Sequence, residues 1–195
     1  MGINKSILKT GSLLDDGKKI KTPIFRLSFP YVFKRHAYGQ EEEKYSITML
    51  FDLDEVDLSI MQSEVKKAIK EKFGKKGLKD KKIRKPFRKG RDKPELDGYD
   101  GNIKFAVAKG KFKPRIVNAD LEEISEEQEN EHEIYAGCYC RATVNVFAYD
   151  NKTKGVSFGL LALQKVKDGE PFGSSSDPMK DFDEGEEKPK KKKNK

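Results

Sequence analysis

Residues 137–150 read GCYCRATVNVFAYD, and the reading of this stretch decides the fold. Side chains of an extended strand alternate between two faces. One face takes Cys140, Ala142, Val144, Val146 and Ala148, small and apolar, as a narrow core requires. The other takes Tyr139, Arg141, Thr143, Asn145, Phe147 and Tyr149. Three rings beside a guanidinium and an amide suit neither a core nor an ordinary solvated surface. Flat rings are platforms on which unpaired bases stack, and arginine can neutralise a phosphate or stack on a base plane. The plainer alternative is that another segment of the chain covers them.

The flanks extend the strand pattern. DNKTKG at 150–155 makes a turn, and VSFGLLALQKV at 156–166 returns as the hairpin partner. DGEPFG at 168–173 closes the folded part. Upstream, TPIFRLSFPYVFK at 22–34 places Phe25, Leu27, Phe29, Tyr31 and Phe33 at period two. Pro30 puts that strand at an edge or bends it. KYSITMLFD at 44–52 has an inner face of Tyr45, Ile47, Met49 and Phe51. NIKFAVAKG at 102–110 sets Ile103, Phe105 and Val107 on one side, and KFKPRIVN at 111–118 is a candidate fourth strand.

Between these strands the period changes. Leu58, Met61, Val65, Ala68, Ile69 and Phe73 recur at helical steps, with Asp57 to cap the start and Gly74 to end it. Residues 74–101 are basic and irregular, and their glycine, proline and alternating charge deny them a core. Residues 1–20 read as a loose arm, residues 21–173 as the folded domain, and residues 174–195 as a disordered mixed-charge tail. The expected fold is mainly β: a five-stranded OB-type barrel with one amphipathic helix and long basic loops. Period two alone fits a sandwich nearly as well.

Composition narrows the partners. The net charge is +8, with 35% hydrophobic and 38% charged residues. An excess of this size favours an anionic partner. No apolar run approaches the roughly 18 residues of a membrane span, and the N-terminal residues lack the apolar core of a signal peptide. Met1-Gly2 followed by Ser6 fits a myristoylation pattern only superficially. The two cysteines, Cys138 and Cys140, make no disulfide framework and point to a reducing compartment.

Two further clusters interleave rings with cations, as a single strand needs: charge for its backbone and a ring for its bases. RKPFRKGR sets Phe87 among Arg84, Lys85, Arg88 and Lys89, and KFKPR sets Phe112 among Lys111, Lys113 and Arg115. YVFKRH adds Lys34 and Arg35 at a strand end. Catalytic chemistry finds less support. Cys138, Cys140, His36 and His132 lack the paired spacings of a zinc site. Asp52, Asp54, Glu55 and Asp57 resemble a magnesium nuclease cluster, but acids at a helix start have a simpler reason. No phosphate loop and no Ser–His–Asp set is present. No cofactor and no metal are expected, and the chain is expected not to be an enzyme.

TPIFRLSFPYVFK, KYSITMLFD, KPFRKG with DGYDG, and above all YAGCYCRATVNVFAYDNKTKGVSFGLLALQKVKDGEPFG together resemble a bacteriophage family. That family was once catalogued only as a domain of unknown function. Its studied members are single-stranded DNA-binding proteins with an OB-fold, related in architecture to phage replication proteins. The resemblance runs from Thr22 to Gly173. It implies a protein that coats single strands during phage DNA replication or recombination, in the cytoplasm of the infected bacterium. It does not assign individual contacts. The expected binding residues therefore stay those of the patterning: Lys34, Arg35, Arg84, Lys85, Phe87, Arg88, Lys111, Phe112, Lys113, Arg115, Tyr139, Arg141, Asn145, Phe147 and Tyr149. Phage or host replication proteins are expected partners through the tail, whose acidic DFDEGEE is followed by KPKKKKNK, so that Phe182 is not terminal. The rival reading is a protein–protein adaptor of a phage replication complex whose nucleic-acid contact is incidental.

Overall fold

The computed structural model describes residues 5–37, 39, 41–125 and 133–173; the tail expected from residue 174 lies outside these. In chain order the elements are helix α1 (Lys5–Thr10), strands β1 (Ser12–Leu14), β2 (Lys19–Lys21), β3 (Phe25–His36) and β4 (Lys44–Asp52), helix α2 (Ser59–Phe73), then β5 (Arg88–Lys89), β6 (Ile103–Gly110), β7 (Arg115–Val117), β8 (Tyr139–Asp150) and β9 (Lys154–Lys167). Strands β3, β4, β6, β9 and β8 pair in that order, and β8 pairs back to β3. This closed ring of five strands, with one main helix, matches the mainly β expectation. Its one parallel seam joins Ala108 of β6 to Phe158 of β9.

The small residues of the opening stretch now have a reason. Cys140, Ala142 and Val144 of β8, with Ala106 and Ala108 of β6, are buried on the inner side. Their low volume leaves room for Phe25, Phe51 and Phe158, all fully buried. Phe25 meets Phe51 edge-on at 5.6 Å, a preferred ring geometry. The Cys138 and Cys140 sulfurs are free, buried and 3.6 Å apart. Helix α2 closes one end of the ring with Met61, Val65 and Ile69. Asp57 accepts the Ser59 N–H at 2.8 Å ahead of it, and Gly74 ends it at φ +72°.

Three expectations are corrected. Of the arm expected over residues 1–20, the described part from residue 5 is not loose: β2 pairs with the middle of β8 through Ile20↔Val144, and β1 adds outside it. Gly11, between α1 and β1, sits at φ +73°, where a Cβ would stand 2.4 Å from the Lys21 carbonyl. In β3 the period-two face breaks. Phe25 and Leu27 point inward, but Phe29 sits at φ +48° and is 37% exposed. The register shifts between Ser28 and Tyr31, and Val32 becomes the buried residue. An extra residue in a bulge reverses side-chain parity beyond it. Pro30 therefore marks a bend, and β3 is not an edge, since it pairs with both β4 and β8.

In β6 the inner face is Ala106 and Ala108, while Ile103, Phe105 and Val107 face outward. Residues 74–101 are not without a core. Ile83 is buried in the main cluster, and Tyr99 forms a second cluster with Leu50 and Phe105. The irregular segment thus covers the outer face of β4 and β6, and this builds one wall of an open groove.

Candidate nucleic-acid interface

The outer faces of β4 and β6, the end of the β8–β9 hairpin and the 84–96 segment enclose an open groove of about 920 Å³. Seven cations line it: Lys44, Arg84, Lys85, Arg88, Lys93, Lys109 and Lys111. Two carboxylates, Glu41 and Glu42, face them. Phe29, Phe147 and Tyr149 bring rings, and Thr48 and Ser157 bring hydroxyls.

Each wall follows from local chemistry. The Arg84 segment is pinned to the hairpin by a two-way backbone link, Arg84 N–H to the Lys154 carbonyl and Val156 N–H to the Arg84 carbonyl, each 2.9 Å. Arg88 reaches the groove from β5, opposite Phe105 of β6. Phe147 and Tyr149 are two residues apart on β8, so they share a face. Their ring centroids lie 6.5 Å apart, tilted by 51°. Phe147 is 43% exposed. Its cross-strand neighbour is Ser157; that of Tyr149 is Gly155, whose missing side chain makes room for the half-buried tyrosine ring.

The carboxylates set the electrostatics of one rim. Glu41 lies 2.7 Å from the Lys109 ammonium, and Glu42 lies 3.3 Å from Lys111 and 3.5 Å from Lys44. Hydrogen bonds from Lys109 and Lys111, then their charge, hold both carboxyls below the ordinary glutamate range. Arg84, Lys85 and Arg88 on the opposite wall have no carboxylate partner among the described residues.

The structure therefore brings together Arg84, Lys85, Arg88, Lys111, Phe147 and Tyr149 of the expected residues. The others stand elsewhere. Phe87 packs inward, edge-on to Phe158 at 5.5 Å and to Phe51 at 6.4 Å. Tyr139, at the far end of β8, lies between the Lys167 ammonium at 4.3 Å and the Arg26 guanidinium at 5.5 Å from its ring centre. Arg141 donates to the Gln164 side chain at 2.7 Å, and burial lowers its pKa. Asn145 lies over Gly159, where a Cβ would meet its Oδ1 at 2.0 Å.

The remaining cations and Phe112 frame the ring's outer surface. Arg115 pairs with Glu123 at 3.5 Å. Lys113 stands 5.8 Å over the Phe33 ring and Arg35 5.5 Å over Tyr45. Lys34 is exposed at the strand end. Phe112 is 86% exposed just past Lys111. Sequence reasoning missed Phe29, Lys44, Lys93 and Lys109. For Phe29 the signal was Pro30, whose bulge turns the ring outward. Lys109 was legible as an alternate residue of β6, on the side opposite Ala106 and Ala108.

Among the described residues no group of three or more His, Cys, Asp or Glu side chains could hold a metal ion, and no helix is long and apolar enough to cross a membrane. His132 and the tail expected to recruit partners lie outside the described residues.

A closed five-strand ring bearing a cationic, ring-lined groove defines a class: small β proteins whose surface is shaped and charged for an extended polyanion. Residues 18–192 match the family model described as Enterobacter phage Enc34, ssDNA-binding protein, and the chain belongs to that family. It is 32% identical over 176 residues to protein p50 of Acyrthosiphon pisum secondary endosymbiont phage 1, covering 85% of this chain and 93% of that one. The single-stranded DNA-binding protein from bacteriophage Enc34, solved in complex with ssDNA, superposes with a TM-score of 0.72 at 28% identity, covering 85% of this chain and 94% of that one. The bacteriophage T7 protein gp2.5, at 14% identity, shares the fold with a TM-score of 0.61 over 87% of this chain and 96% of its own.

Proposed function

We infer that this chain binds single-stranded DNA in the groove between the β8–β9 hairpin and the 84–96 segment. The backbone lies along the cations, and bases stack on Phe147, Tyr149 and Phe29. Backbone charge supplies most of the affinity, and the rings supply the preference for unpaired strands, because a duplex hides its base faces. The observation that carries this is the convergence of seven cations and three accessible rings on one groove. Family membership and the Enc34 relative solved with ssDNA support it. Binding is without catalysis. Residues 21–173 act as the binding domain, braced by residues 5–20, and coat single strands during phage DNA replication or recombination in the cytoplasm of the infected host.

The test is fluorescence polarisation with labelled oligo-dT and a matched duplex, across salt. Single strands lose affinity with log salt at about −0.7 per phosphate neutralised. Three cations without carboxylate partners set a slope of about −2, and all seven set about −5. A flat response, or a preference for duplex, refutes the reading.

A further inference from the structure

A second groove, of about 630 Å³, opens beside the first, between α2 and the 78–92 segment. Its floor is apolar: Val65 and Ile69 from α2, with Leu78 and Phe87. Its rim carries Lys66, Lys85, Arg88, Lys89, Arg91 and Lys104 against one carboxylate, Asp92. None of these six cations is in an ion pair among the described residues. Crowded like charges repel one another, and a partner carrying regularly spaced anions relieves that repulsion.

The two grooves are continuous. Lys85 and Arg88 line both. Strand β5 is the ridge between them, and its two residues pair with opposite faces of β6, Arg88 with Phe105 and Lys89 with Lys104. Phe105 lines the first groove and Lys104 the second.

We propose that a single strand filling the first groove crosses the β5 ridge and continues through the second, its phosphates on Lys66, Lys89, Arg91 and Lys104 and its bases against the apolar floor. The proposal rests on the reading that the first groove holds a single strand. Continuity through Lys85 and Arg88 favours a longer run of the same strand over a separate acidic polypeptide.

The experiment compares the full chain with the variant K66Q/K89Q/R91Q on oligo-dT of about 6 and about 16 nucleotides, within the range of roughly 4–16 nucleotides covered by folds of this kind. All three residues are exposed, and none lines the first groove. On the long strand the salt slope should shrink by about 2, and affinity near 0.1 M salt should fall roughly ten- to hundred-fold. On the short strand both should match the parent. The single variant R91Q, with a slope change of about 0.7, serves if the triple variant does not fold. Equal binding of the long strand by parent and variant overturns the proposal, as does an equal loss on both lengths. Competition at the rim by poly-glutamate, with no change on the long strand, would make it a protein-docking surface instead. Failure of the parent to bind even the short strand refutes the first groove itself, a distinguishable result.

Discussion

Phe147→Ala isolates the stacking part of the mechanism. A phenylalanine presents on the order of 200 Å², and Phe147 is 43% exposed. A base covering that face removes roughly 85 Å² of apolar surface from water, worth about 2 kcal/mol at about 25 cal/mol per Å². This agrees with the roughly 1–3 kcal/mol lost per stacked base on alanine substitution. Affinity for oligo-dT should therefore fall about thirty-fold, at about 1.4 kcal/mol per decade. The salt slope should not change, because no cation is removed. Polarisation titrations at several salt concentrations read both quantities, and thermal unfolding checks the fold. Tyr139→Ala is the control: its ring lies between Arg26 and Lys167 outside the groove, so affinity should hold while the melting temperature drops. Unchanged affinity in a folded Phe147→Ala protein, or an equal loss in Tyr139→Ala, would refute the argument that position in the groove decides which ring binds.

The other perturbations are more local. Glu41 and Glu42 compete with phosphate for Lys109 and Lys111, so E41Q/E42Q should raise affinity on the order of a few-fold at pH 7, the modest size expected of exposed pairs. Both carboxyls titrate below their ordinary value; their pairing is complete above that value and lost as pH falls through the lowered one. Binding by the parent should accordingly tighten as pH falls below the ordinary glutamate range, and less so in the double variant. Gly155→Ala would bring a Cβ within 2.4 Å of the Tyr149 hydroxyl and 2.8 Å of the Arg84 carbonyl; it should displace the ring and loosen the 84–96 wall, read as weaker strand binding and faster proteolysis of that segment. Phe158→Ala, which empties the ring's interior, should cost about 3–5 kcal/mol in urea unfolding.

Much of the fold was legible because it rests on local rules. The inner face of β8, the amphipathic helix and the β8–β9 hairpin all follow from periods of two and 3.6 and from turn residues. The candidate site was less legible. Arg84, Lys85, Arg88, Lys111, Phe147 and Tyr149 were visible as cations and rings, and the groove gathers them. Phe87 carried the same signal, yet its ring fills space beside Phe51 and Phe158. A ring flanked by cations reads alike whether it points to water or to the core.

By itself the sequence determined which residues of each strand can share a face, and that the surplus charge is positive. Only the tertiary structure decided which part of a face stays open. Along one side of β8, Tyr139 is taken by Arg26 and Lys167, Arg141 by Gln164, and Asn145 lies over Gly159, while Phe147 and Tyr149 are left facing the groove. The physical reason is that alternation is a property of neighbouring peptide units, whereas cover comes from segments far along the chain. A single bulge at Phe29 shows how little is needed to turn a core ring outward.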